Sequence, residues 1–162
     1  DTADGFGARG GAAERLAAMR DSAAGALGVL AVSIAVLIQA AAIATLLSRS
    51  AYWPVAVAPV FARYSATVVL SRYPAARQTG LGARLAGPVS PAQALLAMAP
   101  VIGLFAVRPA LAHLVAIGSS AVVVSVLARW SIRRLGGITG DVAGAVIVVA
   151  ECVTLTVLAL AL

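Results

Sequence analysis

The feature that most limits the fold of this chain is a set of long apolar runs. The first run, Leu27 to Leu47, contains no charged residue. A helix of about 20 apolar residues, rising about 1.5 Å per residue, crosses the hydrocarbon core of a bilayer. Charged residues make up 11% of the chain, whereas soluble domains carry about 25%. The sequence therefore predicts an all-α membrane protein, a polytopic bundle of transmembrane helices.

Further runs of this kind divide the chain into about five predicted spans within a single integral-membrane domain, residues 1–162. After the first span come Tyr52–Leu70, Ala92–Val107, Ala110–Ala128 and Val142–Leu162. The run Ala92–Val107 is short and contains Pro100 and Gly103. We expect it to be either a tilted span or a broken one, because proline interrupts helical hydrogen bonding.

The distribution of arginine predicts the topology. All twelve basic residues are Arg, and nine lie in three segments that alternation of the spans places on one face: 1–25, 71–91 and 129–141. Positive residues mark the cytoplasmic side of a membrane, so we expect these three segments to form a cytoplasmic catalytic face. The arginines lie at the ends of apolar runs, so the net charge of +6 indicates membrane lipids as partners and no nucleic acid.

Acidic residues concentrate in the same three segments, which contain five of the six acids. Asp1 and Asp4 are three residues apart and would share one face of a helix. Gly5 resembles a helix stop, which would put both acids in a last turn, where the helix dipole disfavours them. A bound cation would offset this, and carboxylates bind Mg²⁺ together with substrate phosphates. The alternative is a solvated loop that contains two acids.

Candidate anion sites come from arginines and from a glycine-rich loop. Arg9, Arg15 and Arg20 could clamp phosphate, or they could set topology and contact lipid headgroups. The Gly136–Asp141 loop precedes a span, so its backbone N–H groups could bind an anion at a helix start. Within that loop, Thr139 or Asp141 could instead be the N-cap of the last span.

Two charges lie near the middle of predicted spans. Arg63 and Glu151 occupy a depth at which a lone charge costs about 2.5–3.5 kcal/mol. They are therefore expected to form a pair with each other. The alternative is that they line a polar cavity, and Gln39, also near mid-span, belongs to the same group.

Several short motifs spread over nearly the whole chain carry a family resemblance. They are Asp1-Thr-Ala-Asp4-Gly5, Met19-Arg20-Asp21-Ser22, Gly25, Gly28, Gly80-Leu81-Gly82 and Leu135-Gly136-Gly137-Ile-Thr139-Gly140-Asp141. In combination they resemble the cobalamin synthase family, adenosylcobinamide-GDP ribazoletransferase. That family has a His-Leu-Asp-Gly-Leu-Ala segment just before the first motif. We therefore expect this chain, which starts at Asp1, to be a fragment that lacks the N-terminal spans.

The resemblance implies a Mg²⁺-dependent transfer at the cytoplasmic face of a bacterial inner membrane, the last steps of cobalamin biosynthesis. The cobinamide phosphate moiety of adenosylcobinamide-GDP would leave GMP and join a ribose hydroxyl of α-ribazole or its 5′-phosphate. Asp1 and Asp4 would bind Mg²⁺, and Asp141 would be a ligand or position the nucleophile. Further residues implied to hold metal, diphosphate or substrate are Arg9, Arg20, Asp21, Ser22, Gly137, Thr139 and Gly140. A homo-oligomer is left open.

Two other classes of protein remain alternatives. A CDP-alcohol phosphotransferase signature opens D-x-x-D-G-x-x-A-R, which residues 1–9 match. Its second half requires Gly and two Asp at positions where this chain has Ala18, Ser22 and Ala26, which counts against it. A transporter or scaffold without catalysis could use Arg63 and Glu151 as an ion path, but it would leave the acidic cluster unexplained.

Overall fold

The computed structural model describes residues 1–79 and 111–162, and between them residues 83, 84, 87, 90, 92, 93, 96–99, 102 and 103. The two continuous stretches form helices α1 (Thr2–Gly7), α2 (Ala12–Ala18), α3 (Ala26–Ser48), α4 (Tyr52–Arg72), α5 (Leu111–Leu135) and α6 (Gly140–Ala161). Four of them, α3 to α6, are long and apolar enough to cross a membrane. The prediction of an all-α polytopic membrane protein is confirmed. The predicted span Ala92–Val107 lies largely outside the described residues.

The helix boundaries agree with the apolar runs except at the end of α5. This helix continues to Leu135, whereas the sequence predicted a span ending at Ala128. Arg133 and Arg134 consequently lie in the last helical turn and not in a loop. The extension has a physical reason, because cations in a last turn interact favourably with the helix dipole.

Helix α6 is the centre of the bundle, since α3, α4 and α5 all pack against it. Small side chains form these interfaces. Ala58, Ala62 and Ala66 of α4 are buried, as are Ala143 and Ala150 of α6. Small residues let helix backbones approach closely, which is how helices associate in lipid, where burial of apolar surface gives little driving force.

Contacts between chain segments define two opposite ends of the bundle. At one end, Nη1 of Arg49 donates to the carbonyl oxygen of Ala159 at 2.7 Å. At the other end, the chain after α4 pairs with the α5–α6 loop through an isolated parallel bridge between Ala75 and Ile138. Helices α1 and α2 lie at this second end, where α1 contacts α3 and α6 and α2 contacts α5. We call it the charged end, residues 1–25, 71–79 and 135–141.

Candidate functional site

A groove of about 840 Å³ opens between α1, α3, α5 and α6. Two carboxylates, those of Asp1 and Asp141, are among the residues that line it. Both belong to the charged end. The rest of the lining is almost entirely apolar and includes Leu27, Leu30, Ile34, Val123, Val126 and Val149. The groove therefore runs from two acids at the charged end along exposed apolar faces of the spans.

Helix α1 carries Asp4 of the first carboxylate pair, but it does not end where predicted. The carbonyl oxygen of Asp4 accepts from the N–H of Ala8 at 2.9 Å, so the expectation that Gly5 stops the helix directly after the two acids is wrong. The helix passes through Gly5 and ends at Gly7. Gly5 is needed for packing, because a Cβ there would lie 2.7 Å from Cγ of Met19, a side chain buried in the core.

The carboxylate of Asp4 is bound to the start of α3. Its Oδ2 accepts a hydrogen bond from the N–H of Gly25 at 3.0 Å, and its Oδ1 accepts one from the N–H of Gly28 at 2.9 Å. The first N–H groups of a helix have no partner within the helix, and a carboxylate placed there is favoured by the dipole. A Cβ on either glycine would collide with this carboxylate. In the sequence, Gly25 and Gly28 were identified only as part of the family motif. Their contact with the carboxylate of Asp4 was not predicted.

Two further contacts fix α1 at the edge of the groove. Nη1 of Arg15 donates to the carbonyl oxygens of Gly5 at 2.8 Å and Phe6 at 3.0 Å. Arg15 therefore satisfies carbonyls near the end of α1, a role that the phosphate-clamp hypothesis did not include. The ring of Phe6 stacks on that of Trp130 with centroids 3.5 Å apart and planes 4° from parallel. This stack ties α1 to α5.

The α5–α6 loop is shaped by its glycines and by one hydroxyl. Gly136 has φ of 79°, the left-handed conformation with which many helices end. A Cβ on Gly137 would lie 2.5 Å from the carbonyl oxygen of Pro74. Thr139 is the N-cap of α6, and its hydroxyl accepts from the N–H of Val142 at 3.1 Å, so the N-cap prediction holds for Thr139 and not for Asp141. Substrate contacts by Gly137, Thr139 and Gly140 stay predictions.

Arg77 joins the three parts of the charged end. Its Nη2 donates to the carbonyl oxygen of Leu16 at 2.9 Å. Its Nη1 lies 3.9 Å from Oδ2 of Asp141. Sequence reasoning counted Arg77 only as one of the topology-setting arginines. In a single sequence no signal separates it from Arg72 or Arg84.

The remaining predicted site residues lie on exposed parts of the charged end and do not line the groove. Arg9 and Arg20 are exposed, as are Asp21 and Ser22. Asp21 accepts a hydrogen bond from the N–H of Ala23 at 3.0 Å, which fixes the turn that leads into α3. Their roles towards phosphate or metal stay predictions.

A magnesium ion would take its protein ligands from the carboxylates of the charged end. Among residues 1–79, 111–162 and the described positions between them, no three His, Cys, Asp or Glu side chains group closely enough to hold a metal ion. Mg²⁺ is usually bound by one or two carboxylates together with substrate phosphates and water. Asp1 and Asp141 both line one groove and supply carboxylate oxygens, the donor type that such an ion takes. Asp4 fits less well, because backbone N–H groups engage both of its oxygens.

The two mid-span charges form the expected pair. Nη1 of Arg63 in α4 lies 3.8 Å from Oε2 of Glu151 in α6, which confirms that prediction. Arg63 also donates to the carbonyl oxygen of Pro59 at 2.9 Å. The side chain of Arg63 is 65% exposed and that of Glu151 20%, so the pair lies on the outside of the described bundle. Gln39 is half-buried on α3.

Four membrane-length helices with carboxylates and arginine at one end define a polytopic membrane protein that gathers charge at one face. The family model for cobalamin-5-phosphate synthase matches residues 1–159. The chain therefore belongs to the cobalamin-5-phosphate synthase family.

Curated relatives agree with this family. The chain is 39% identical over 167 residues to adenosylcobinamide-GDP ribazoletransferase of Nocardioides sp., covering 96% of this chain and 61% of that protein. It is 33% identical to the protein of the same name from Roseiflexus sp., covering 99% of this chain and 59% of that protein. It is 34% identical to that of Pseudomonas aeruginosa, covering 99% and 65%. The chain thus spans about three fifths of the length of these relatives. No solved structure matches it.

Proposed function

We propose that the protein is an adenosylcobinamide-GDP ribazoletransferase acting at the cytoplasmic face of a bacterial cell membrane. The observation that carries the proposal is the charged end itself, where Asp1 and Asp141 line one groove and Arg77 contacts Asp141. The relatives that carry this enzyme name align over nearly the whole chain. The substrates would be adenosylcobinamide-GDP and either α-ribazole or its 5′-phosphate.

The proposed reaction is a phosphoryl substitution. A ribose hydroxyl oxygen of α-ribazole attacks the phosphorus that carries cobinamide, and a new P–O bond forms. The bond from that phosphorus to the bridging oxygen of the diphosphate breaks, and GMP leaves with the bridging oxygen. The hydroxyl proton passes to a carboxylate or to water. The products are adenosylcobalamin, or its 5′-phosphate, and GMP.

The charged residues would have different roles in the reaction, set by their positions. Asp1 and Asp141 would hold Mg²⁺, with Asp4 anchoring α1 against α3 beside them. The ion would neutralise charge on the phosphate oxygens as it develops. Exposed Arg9 and Arg20 would bind the diphosphate from the water side, because guanidinium groups bind phosphate oxygens well. Asp141 would in addition orient the attacking hydroxyl.

The membrane arrangement supports a site that faces the cytoplasm. The predicted cytoplasmic segments, 1–25, 71–91 and 129–141, contain nine of the twelve arginines, and arginine-rich loops remain on the cytoplasmic side during insertion. Arg49 lies at the opposite end of the bundle, where it binds Ala159. Adenosylcobinamide-GDP carries a charged diphosphate, and α-ribazole and its 5′-phosphate are water-soluble, so a groove that opens at the charged end would be reached from the cytoplasm.

The test is GMP release by the protein as encoded, including any residues upstream of Asp1, in detergent or liposomes. Adenosylcobinamide-GDP and α-ribazole should yield GMP only when Mg²⁺ is present. Asp1→Asn and Asp141→Asn should each lower turnover on the order of 100-fold or more, because a positioned charge at a phosphate is lost. Glu14→Gln is the matched control, since Glu14 is exposed and caps α2 through the N–H of Gly11.

The other outcomes separate the alternative classes. A well-folded protein that releases no Mg²⁺-dependent GMP contradicts the proposal. Release of CMP from a CDP-linked lipid would identify a CDP-alcohol phosphotransferase. Release of neither nucleotide would leave a transporter or scaffold. Turnover by Asp141→Asn equal to that of Glu14→Gln would remove Asp141 from the site.

A further inference from the structure

Arg77 makes contacts that an arginine needed only for topology does not require. One side of its guanidinium donates to a backbone carbonyl of α2, that of Leu16, and the other side faces the carboxylate of Asp141 in the first turn of α6. Its side chain is only 22% exposed. An arginine that only sets membrane topology acts through its charge near the membrane surface. Burial of its side chain does not strengthen that effect.

The backbone beside Arg77 is held in place independently of its side chain. The N–H of Ala76 donates to the carbonyl oxygen of Ile138 at 2.9 Å, and the N–H of Ile138 donates to that of Pro74 at 2.8 Å. Gly137 permits this close crossing, since a Cβ there would meet backbone atoms of residues 74–76. Arg77 therefore starts from a fixed backbone two residues beyond Ala75 of the bridge, and its reach towards Asp141 is set by the fold.

The contact also constrains Asp141. Arg77 lies against Oδ2 of this carboxylate, whose side chain is 34% exposed and lines the groove. A guanidinium presents several donors in a rigid plane, so it can orient a carboxylate while it binds a second acceptor. A lysine ammonium is a single flexible point charge and cannot reproduce both contacts with the same geometry.

We propose that Arg77 is a positioning residue for Asp141, holding its carboxylate in the orientation that the reaction needs while tying α2 and α6 together. The inference rests on the proposed function for its catalytic part. Arg77 contacts Asp141 as an ion pair at 3.9 Å, and outer-shell partners of a metal-binding group typically change metal affinity or activity by about 10- to 100-fold when mutated.

Four variants of the protein as encoded test the proposal: Arg77→Gln, Arg77→Lys, Asp141→Asn and the double variant Arg77→Gln/Asp141→Asn. Arg77→Gln should lower kcat by about 10- to 100-fold and raise the Mg²⁺ concentration for half-maximal rate. Arg77→Lys should retain a higher kcat than Arg77→Gln. In the Asp141→Asn background, Arg77→Gln should lower kcat by less than about 3-fold, because residues that act as a unit are not additive. Arg133→Gln, which removes an exposed arginine from the end of α5, should stay within about 2-fold of the parent.

A second readout does not depend on the reaction. Thermal unfolding of the same variants in detergent should show that the two single substitutions shift the midpoint non-additively, as expected for residues in contact. A kcat loss for Arg77→Gln that is equal in both backgrounds would overturn the positioning role. The positioning role would also be overturned if Arg77→Gln and Arg77→Lys both lost kcat only because they unfold at the assay temperature.

Failure of the proposed function would look different. The parent protein would then release no GMP, whereas the unfolding midpoints would still report the contact between Arg77 and Asp141. That pattern would overturn the catalytic part of the inference and leave an anchor between α2 and α6. Non-additive kcat with a functional parent supports both the function and the positioning role.

Discussion

At the scale of single residues, Asp4 shows how one carboxylate can hold two helices together. Its side chain accepts hydrogen bonds from N–H groups 21 and 24 residues further along the chain. The sequence predicted a metal ligand from its spacing to Asp1. That spacing is local, so it could not reveal partners that only the packing of α1 against α3 brings near. Gly25 and Gly28 were the sequence feature related to this contact, because their N–H groups donate to Asp4.

The first expectation at this scale concerns Asp4→Asn. The amide keeps one acceptor oxygen but turns an NH2 group towards a backbone N–H, which leaves a part-buried donor without an acceptor. Loss of such a partner costs about 1–3 kcal/mol. Chemical unfolding in detergent, followed by far-UV circular dichroism, should show a decrease of that size in the free energy of unfolding.

Asp21→Asn is the control for this measurement, because Asp21 is exposed and bonds only within its own turn. It should change stability by no more than about 0.5 kcal/mol. Equal effects of the two substitutions would mean that Asp4 does not cap α3. The measurement also matters for kinetics, since a turnover loss in Asp4→Asn cannot be assigned to metal binding until its folding is known.

At the scale of elements, the crossing between the chain after α4 and the α5–α6 loop holds the charged end together. The sequence predicted that the glycines of this loop free N–H groups for an anion. That role stays a prediction; the structure shows that Gly137 makes room for the backbone of residues 74–76. This use could not be predicted, because the segment that approaches it lies about sixty residues earlier. The cap formed by Thr139 could be predicted, because it depends on residues within one turn.

Gly137→Ala should therefore destabilise the protein. The added methyl group would lie 2.5 Å from the oxygen of Pro74 and 2.6 Å from the nitrogen of Ala76, so the two segments must move apart. Forcing one extra methyl group into a packed site costs about 1–3 kcal/mol. Thermal unfolding in detergent should show a lowered midpoint.

The matched control is Gly144→Ala, where nothing lies within 4 Å of an added Cβ. Gly144 is exposed within α6, and alanine is the better helix former by up to about 1 kcal/mol. This variant should be as stable as the parent or more stable. A Gly137→Ala variant with an unchanged midpoint would contradict the close crossing.

At the scale of the whole molecule, the topology can be tested with single cysteines in a Cys152→Ala background. A membrane-impermeant maleimide added to intact cells should label Ser50→Cys, in the turn between α3 and α4. Gln78→Cys, at the charged end, should react only after the membrane is opened. Leu37→Cys, an exposed position in the middle of α3, is the control and should react in neither case. Reaction of the first two positions from the same side would contradict the arrangement.

The spans themselves could be predicted because bilayer thickness and helix rise fix their lengths. Helix α3 was expected at Leu27–Leu47 and is found at Ala26–Ser48. The order in which the spans pack could not be predicted. Alanine, valine and leucine occupy most faces of α3 and α6. The sequence therefore does not show which face of either helix packs against the others. The central place of α6 emerges only from the fit of small residues between helices.

The central position of α6 has a consequence for how the protein is made. A ribosome delivers α3, α4 and α5 to the membrane before α6, the helix against which all three pack. Before α6 is inserted, the surfaces of α3, α4 and α5 that pack against it have no partner. Asp141 is then also absent from the charged end. A polypeptide interrupted before Gly140 would therefore lack Asp141 and the wall of the groove that α6 provides.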